Sequence, residues 1–534
     1  MKSIKFDLHK LMMILSIALI SFIVQTNTVK YTGSDPHLTL LTSQAIIEKG
    51  SVNLESYRIS VPEKDFGEEK WQYYRNIEKK ETFYYYPAGT PILSVPFVLV
   101  AKLAGMNMLN TEDDAKLQLI IANFICIVLF FLLFSISISF FNKWTSLVLT
   151  LFLFLGTSLI SAMGTALWSF GFEMIFILLA IKEIIKAEKG NKPGIILIAI
   201  YLALAWVCRP SALSFIAVAG LWVLIKHRKL LWKYFVGTAI VLVPFFLFTY
   251  ASYGQIIPFY YNPFYWKHIF LGTFYFNVLM YVLFSPMRGL FTFTPILLLA
   301  FSGVLYKQLR TNTLYILLSF HFVFHTLMLI NQSDWYGGWC FGPRLYTDNI
   351  PSLIIMIFMV IKQWQPMSLF KKTAVSLLLI CGILIHTIQG MYNKNVHEWN
   401  SNPDVSAGLA YLCWNWSFPQ FLATEKSNKM KGDIYNLRHD IDLLISKLPN
   451  NATLLFGQPD NNIKEYLNLW NSEHATFTTN DIYNTIADIK SKNKQEFWFP
   501  VSLLNEVKQD NSCIIIYPEK NNSNGKLFKA IIKT

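Results

Sequence analysis

Long apolar runs are the feature that most restricts how this chain can fold. Residues 117–141, 144–160 and 195–207 carry almost no charged side chains. A helix needs roughly 20 mostly apolar residues to cross a bilayer. Only 15% of the 534 residues are charged, against about 25% in an average soluble domain. The sequence therefore predicts an all-α polytopic membrane protein.

The basic residues between these runs orient the predicted spans. Residues 392–534 contain 15 Lys/Arg and 15 Asp/Glu, so the whole excess charge of +13 lies in residues 1–391. The cationic side chains there cluster in short loops, which is typical of cytoplasmic loops and argues against a nucleic-acid partner. If every basic segment is cytoplasmic, eleven transmembrane helices follow: 11–27, 117–141, 144–162, 167–186, 193–209, 211–226, 233–252, 289–305, 312–331, 345–362 and 372–391.

The number of spans decides on which side each end lies. Residues 11–24 follow a basic segment, as in a signal peptide, but no small-residue cleavage site follows, so we expect an uncleaved first span. The N-terminus is then cytoplasmic, and the C-terminal residues are exterior or periplasmic to the cell membrane. The short apolar segments 91–103 and 270–284 are expected to lie at the outer surface, because a further crossing would invert the later loops.

Two domains follow from this threading. The membrane domain, residues 1–391, contains a long first exterior loop at 28–116, and residues 392–534 form an exterior domain. In the latter, β-type runs alternate with helix-like stretches, which predicts a small α/β domain: strands at 453–456, 496–499 and 512–517, and helices at 434–448 and 481–490.

The six cysteines form no CxxC pair and show no metal-ligand spacing. We therefore expect no metal and no cofactor. A disulfide among Cys340, Cys413 and Cys513, which fall in the predicted exterior, is left open.

Asp35 follows the first predicted span, in the sequence Ser34-Asp35-Pro36-His37. A carboxylate at the outer surface is suited to take the proton of an acceptor hydroxyl as a general base. Asp before Pro is also typical of a helix N-cap. Position alone favours the cap, because that use is commoner.

Three arginines lie at predicted exterior boundaries, against the usual distribution of positive charge: Arg209, Arg288 and Arg344. Charges that face a cavity at a membrane boundary are functional candidates, and the guanidinium fork suits phosphate. The alternative is snorkelling to lipid headgroups. Glu173 lies inside a predicted span, where it should either pair with an arginine or belong to the site.

Aromatic residues and glycines follow one another in Asp334-Trp335-Tyr336-Gly337-Gly338-Trp339. Such a segment suits a wall on which a sugar ring stacks. It is equally typical of the aromatic belt at a membrane interface.

A series of motifs runs in order along most of the chain: Ser34-Asp35-Pro36-His37, Tyr86-Pro87-Ala88-Gly89-Thr90-Pro91, Gly156-Thr157, Leu167-Trp168-Ser169, Arg209-Pro210, Ser285-Pro286-Met287-Arg288-Gly289, Thr294-Pro295, Trp335-Tyr336-Gly337-Gly338-Trp339 and Phe341-Gly342-Pro343-Arg344. Together they resemble the polyprenyl-phosphate-sugar-dependent glycosyltransferases of the GT-C superfamily. The likeness is to the group related to protein O-mannosyltransferases and aminoarabinose transferases. The chain departs from that pattern at Ser34, where many relatives carry a second acid, and at Phe170, where histidine is usual.

The resemblance implies a sugar donor on a polyprenyl phosphate, juxtamembrane helices after the first span, and a catalytic base in the first exterior loop. That base maps onto Asp35. We expect the substrate to be bound by His37, Tyr86, Arg209, Arg288, Asp334, Trp335 and Arg344. The implied reaction is metal-independent hexosyl or pentosyl transfer to a glycan, lipid or protein acceptor.

Other functions remain open from the residues. A transporter or flippase of lipid-linked sugars would place charge near the bilayer midplane, often within inverted repeats. This chain shows no evident repeat and gathers its polar residues at one predicted surface. A polymerase or ligase of lipid-linked glycans, or a membrane scaffold, is the remaining alternative.

Overall fold

The computed structural model of the protein describes residues 8–57, 73–76, 81–261, 276–332 and 334–445, with five further strands nearer the C-terminus. These residues belong to two compact units, Met1–Asn428 and Lys429–Thr534. The charge and hydropathy pattern predicted a boundary after residue 391 instead. Residues 392–428 belong with the first unit because Asn400 and Gln420 hydrogen-bond to Arg288.

Helices make up most of the first unit: α1 (Leu8–Thr26), α2 (Thr39–Lys49), α3 (Gly89–Leu103), α4 (Thr111–Ser137), α5 (Lys143–Leu155), α6 (Phe170–Glu188), α7 (Ile195–Cys208), α8 (Leu213–Lys226), α9 (Leu231–Tyr253), α10 (Phe276–Phe284), α11 (Thr313–Ile330), α12 (Ile350–Gln363) and α13 (Leu369–Ile383). The segment around α12 is the most central, with 89% of its residues buried, against 17% around α9.

All eleven apolar runs predicted as spans coincide with helical segments. Within the described ranges, six helices are long and apolar enough to cross a membrane, and a seventh span results if α5 and the following turns, bent by 57°, count as one. Other segments are shorter apolar helices, including Ile195–Cys208 and Pro210–Lys226. The protein is thus a multi-pass membrane protein, and the number eleven stays a prediction.

The predicted span at 289–305 is broken into short helical turns: Leu290–Phe293, Pro295–Leu297, Leu298–Phe301 and Ser302–Leu305. Pro295 explains the break, because proline lacks an N–H and disfavours helical backbone at the residue before it. The break is stabilised by His386 in a π-helical turn, Leu384–Gln389. Its two ring nitrogens contact Ser161 Oγ at 2.8 Å and Thr294 Oγ1 at 2.7 Å.

The first exterior loop folds into α2, a hairpin and α3. The hairpin pairs β1 (Tyr73–Asn76) antiparallel with β2 (Glu81–Tyr84), with Tyr73 opposite Tyr84. The helix predicted at 91–103 is present as α3. Its 15 residues extend only about 22 Å, short of the roughly 30 Å of a bilayer core, which agrees with a surface position. Of the second predicted surface segment, 270–284, only α10 lies within the described residues.

The helix α14 (Glu425–Ile445) leads into the second unit. A five-stranded sheet has the order β4–β3–β5–β7–β6, formed by β3 (Leu454–Gly457), β4 (Thr476–Thr479), β5 (Glu496–Pro500), β6 (Cys513–Ile516) and β7 (Leu527–Ile532). Strand β3 runs parallel to β4 and β5, whereas β7 is antiparallel to both its neighbours. The predicted strands match β3, β5 and β6, whereas β4 and β7 were not predicted. The helix expected at 481–490 lies outside the described residues.

Candidate active site

A succession of tight turns connects α1 to α2. Tyr31 N donates to the carbonyl of Thr165 at 3.1 Å, which ties these turns to the bent span, and Thr39 N donates to Pro36 O at 3.0 Å. Leu38, the residue before α2, has a φ of +71°. This conformation is unfavourable by roughly 1–3 kcal/mol for a residue with a Cβ and is found preferentially at functional sites.

Asp35 lies within these turns and pairs with Arg344. Asp35 Oδ2 and Arg344 Nη1 are 2.7 Å apart, and 19% and 8% of the two side chains are exposed. Tyr84 OH donates to the Asp35 carbonyl at 2.7 Å, so the hairpin holds the backbone of Asp35. The N-cap residue of α2 is Leu38, and no side chain caps this helix. The helix-capping alternative for Asp35 is therefore wrong.

The guanidinium of Arg344 hydrogen-bonds to Asp35 through Nη1, whereas its Nε has no partner among the described residues. Its Nη1 bonds Asp35, and its guanidinium carbon lies 4.2 Å from the centroid of the Trp168 ring. Its Nε is buried and has no hydrogen-bond partner among the described residues. A buried donor left unpaired is unfavourable by roughly 1–3 kcal/mol, so a ligand oxygen at this position would be favoured.

Arg209 is held by two buried acids and two serines. Its Nε lies 3.3 Å from Asp348 Oδ2 and 3.8 Å from Glu173 Oε2. Ser211 and Ser169 each accept a hydrogen bond from the guanidinium at 3.0 Å. Glu173 thus has the arginine partner that its place in a span required.

Tyr260 lies at the point where several of the predicted site residues meet. Its ring contacts Tyr86, with the centroids 5.5 Å apart. Burial raises the pKa of Tyr260 to about 12, while the charges of Arg209 and Arg344 lower it and that of Asp35 raises it. Burial and the Asp35 charge also raise the pKa of Tyr86. The charges of Asp35 and Arg344 therefore act on both tyrosines, and the charge of Arg209 acts on Tyr260.

Arg288 is buried, with 2% of its surface exposed, and makes five hydrogen bonds. The acceptors are the carbonyls of Tyr336, Gly338 and Met287 and the side chains of Gln420 and Asn400, at distances of 2.6–3.1 Å. A guanidinium has five N–H donors. All the donors of Arg288 are therefore used within the protein.

The other predicted substrate-binding residues are His37, Asp334 and Trp335. His37 is half-buried two residues from Asp35. Asp334 is exposed, and the Trp335 ring stacks on Tyr281 with the centroids 5.6 Å apart and the planes at 22°. In the described contacts, neither Asp334 nor Trp335 touches Asp35. They belong to the loop that leads to Arg344.

An apolar cavity of about 440 Å³ lies between α7, α8 and α9. Its lining includes Leu202, Trp206, Leu242 and Tyr261. Ser211 also lines it, and this is the serine that accepts a hydrogen bond from Arg209. The cavity thus adjoins the polar cluster around Arg209.

The cysteine, histidine and acidic side chains are the candidates for a disulfide or a metal site. Cys340 and Cys413 are both free, so no disulfide joins them, and the side chain of Cys513 lies outside the described residues. Within the described ranges, no group of three or more His, Cys, Asp or Glu side chains is placed to hold a metal ion.

Comparisons with known proteins give solved structures only. Neither a family model nor a curated protein matches the chain. ArnT from Cupriavidus metallidurans bound to undecaprenyl phosphate is 11% identical, with 97% of each chain covered and a TM-score of 0.46. The same enzyme in the apo state is 12% identical, covering 97% of this chain and 96% of that one, with a TM-score of 0.43.

A third structure is an Archaeoglobus fulgidus oligosaccharyltransferase tethered to an acceptor peptide. It is 10% identical and covers 93% of this chain and 70% of that one, with a TM-score of 0.43. ArnT and this enzyme are GT-C glycosyltransferases.

Sequence reasoning missed at least three residues of the site: Asp348, Trp168 and Tyr260. Asp348 lies in the predicted span 345–362, so the rule that flagged Glu173 would have flagged it too. Trp168 was part of a motif but was not assigned to the site, because nothing in the sequence shows that its ring lies against Arg344.

Proposed function

We propose that this protein is a membrane glycosyltransferase that moves a sugar from a polyprenyl-phosphate carrier to an acceptor at the exterior face of the cell membrane. The observation that carries the proposal is the Asp35–Arg344 pair, 2.7 Å apart, with Arg344 Nε unpaired beside it. The pair places a proton acceptor next to an anion-binding group. Transfer of a sugar from a phosphate requires both.

In this reaction the acceptor oxygen bonds to the anomeric carbon as the bond from that carbon to the phosphate oxygen breaks. The acceptor's proton passes to Asp35, the general base. Oxygen Oδ1 is the available one, because its contact with Ser34 Oγ is long, at 3.4 Å, whereas Oδ2 is paired with Arg344. The lipid phosphate is the leaving group, and attack from the opposite face inverts the anomeric centre.

The leaving phosphate gains negative charge, which Arg344 and Arg209 stabilise. Fixed positive groups aimed at developing charge are often the largest catalytic contribution. Among the described residues, Arg344 Nε is unpaired, and Arg209 hydrogen-bonds to Ser211 through Nε and to Ser169 through Nη1. Arg288 is left out of this role, because its donors are already used.

The apolar cavity suits the isoprenoid units next to the phosphate. Its wall is mostly hydrocarbon and aromatic, and Ser211 connects it to Arg209. A polyprenyl phosphate needs this combination of an apolar channel and a cationic end. The acceptor, a glycan, lipid or protein, would approach Asp35 from the exterior side, where Tyr86 and Tyr260 lie.

The decisive test is Asp35→Asn in the full-length protein, reconstituted in proteoliposomes with a panel of undecaprenyl-phosphate hexoses and pentoses and with envelope glycolipids as acceptors. We expect the rate of sugar transfer to fall roughly 10²–10⁴-fold, the usual range for loss of a general base. The protein should still fold, with a modestly lower midpoint of thermal unfolding, because asparagine keeps an acceptor for Arg344 Nη1 but loses the ion pair.

Asp433→Asn, which alters an exposed carboxylate on α14, is the matched control and should keep wild-type activity. Full activity of Asp35→Asn would rule out the base assignment. Movement of the lipid-linked sugar across the membrane without transfer would favour the transporter alternative.

A further inference from the structure

Arg288 is a buried cation without an acidic partner among the described residues. Its hydrogen-bond acceptors are three carbonyls and two side-chain amides. Burying an arginine in this way is unfavourable unless every donor is satisfied. The position of the Arg288 guanidinium is therefore set by these five acceptors. Two of the carbonyls, those of Tyr336 and Gly338, belong to the loop that leads to Arg344.

Gln420 continues the same pattern along this loop. Its Oε1 accepts from Arg288 Nη1 at 2.6 Å and from Gly342 N at 2.9 Å. Its Nε2 donates to the Cys340 carbonyl at 2.8 Å. Arg288 and Gln420 together thus bind backbone groups at residues 336, 338, 340 and 342, every second residue of the loop.

The loop needs such external support because of its backbone. Gly337, Gly338 and Gly342 have φ angles of +76°, +63° and +58°. Glycine reaches these conformations freely, but it also has the most conformational freedom to lose. A segment with three such residues does not hold one shape by itself.

The position of this loop determines the position of Arg344. Arg344 N donates to the Gly342 carbonyl at 2.9 Å. A Cβ placed on Gly337 would lie 3.6 Å from Arg344 Nε. Movement of the loop backbone would therefore shift the guanidinium relative to Asp35 and to the Trp168 ring.

We infer that Arg288 and Gln420 are positioning residues that hold the 336–342 loop so that Arg344 meets Asp35 and the substrate phosphate. This inference rests on the proposed function for the role of Arg344. It changes the role of Arg288 from a phosphate ligand to a support, and it adds Gln420, which belongs to none of the sequence motifs. Neither residue touches the substrate.

The test uses Cys340, which lies in this loop with 2% of its surface exposed. In a full-length variant in which Cys340 is the sole cysteine, the rate of maleimide labelling reports how well the loop is held, whether or not sugar is transferred. Gln420→Leu and Arg288→Lys should speed labelling at least roughly tenfold. Gln44→Leu, which removes another buried glutamine that bonds Asn107 and Met108, should not.

Activity in the same variants separates positioning from substrate contact. A displacement of about 1 Å can lower a rate roughly 100-fold, so kcat/KM should fall to a similar extent in Gln420→Leu and Arg288→Lys, because both variants displace Arg344. Binding of undecaprenyl phosphate should weaken in both variants alike. A raised donor KM in Arg288→Lys with Cys340 still protected would overturn the inference, since it would mean that Arg288 binds the phosphate directly.

The two proposals fail in different ways. Faster labelling of Cys340 supports the inference even if the wild-type protein transfers no sugar from the panel, an outcome that would count against the proposed function alone. Unchanged labelling in both variants overturns the inference whatever the activity. Faster labelling with full activity also overturns it, because the loop would then not control the reaction.

Discussion

Three arginines that look alike in the sequence differ at the level of their individual N–H groups. Arg288 uses all five donors within the protein, whereas the buried Nε of Arg344 has no hydrogen-bond partner in the part of the chain that the structure describes. Arg209 lies between them in character, since two acids and two serines hold it from one side. An anionic ligand is bound by donors that remain available, so Arg344 and Arg209 are the better candidates.

Arg344→Lys tests this difference. Lysine keeps the positive charge but lacks the planar fork that bonds Asp35, faces Trp168 and presents a further N–H to a ligand. We expect kcat/KM to fall roughly 10²–10³-fold, as for loss of one preorganised donor to a developing anion, and undecaprenyl phosphate to bind more weakly. Isothermal titration and steady-state kinetics measure the two effects.

Arg310→Lys is the control for that experiment, because Arg310 is exposed and belongs to none of the site motifs. Equal loss of activity in both variants would show that the effect is not specific to Arg344.

The partners of these arginines explain why the sequence did not distinguish them. Asn400 and Gln420 lie 112 and 132 positions from Arg288, and Asp35 lies 309 positions from Arg344. Residue type and spacing indicated that all three were unusual for an exterior boundary. Which N–H donors of an arginine remain free depends on packing between distant segments of the chain. A local sequence pattern does not contain this information.

At the level of elements, interrupted helices bring the site residues together. The bent span after α5, the turns around Pro295 and the π-helical turn before residue 390 meet at His386. Irregular backbone at membrane depth is stable only where protein or a wet cavity satisfies its polar groups. The sequence indicated the Pro295 break through its proline, but the π-helical turn has no such signal.

A close backbone contact also fixes the bent span against α13. A Cβ on Gly382 would lie 2.5 Å from the carbonyl oxygen of Gly156, and small residues permit such approaches between membrane helices. Gly382→Ala should therefore destabilise the protein, by roughly 1–3 kcal/mol as for overpacking. Thermal unfolding in detergent measures this.

Gly220→Ala is the matched control, since no atom lies within 4 Å of a Cβ at that position in α8. It should be neutral or stabilising, because alanine favours a helix more than glycine does. A Gly382→Ala variant as stable as wild type would show that α13 moves away easily, and that the contact is not structurally required.

At the scale of the whole molecule, the sidedness of the chain remains a prediction from charge. The basic loops and the odd number of runs place the N-terminus in the cytoplasm and residues after 391 outside. Cysteines introduced at exposed positions, Lys189→Cys and Ser406→Cys, test this in otherwise cysteine-free protein. A membrane-impermeant maleimide should label Ser406→Cys in intact cells and Lys189→Cys only after permeabilisation.

The opposite labelling pattern would place the Asp35 region on the cytoplasmic side and would exclude an exterior acceptor. Labelling of both positions in intact cells would contradict the assignment of the basic loops. Either result would leave the helix positions unchanged.

The sequence alone determined where the apolar helical segments lie, because the length and apolarity of a run are local properties that decide whether it can cross a bilayer. It also identified Asp35 and Arg344 as candidates, since charge at such positions is costly without a reason. The tertiary structure decided that these two residues pair, that the five N–H donors of Arg288 are used within the protein, and that residues 392–428 group with the first unit. These outcomes depend on which hydrogen-bond donors and acceptors meet across more than a hundred residues, and only the packed chain brings them together.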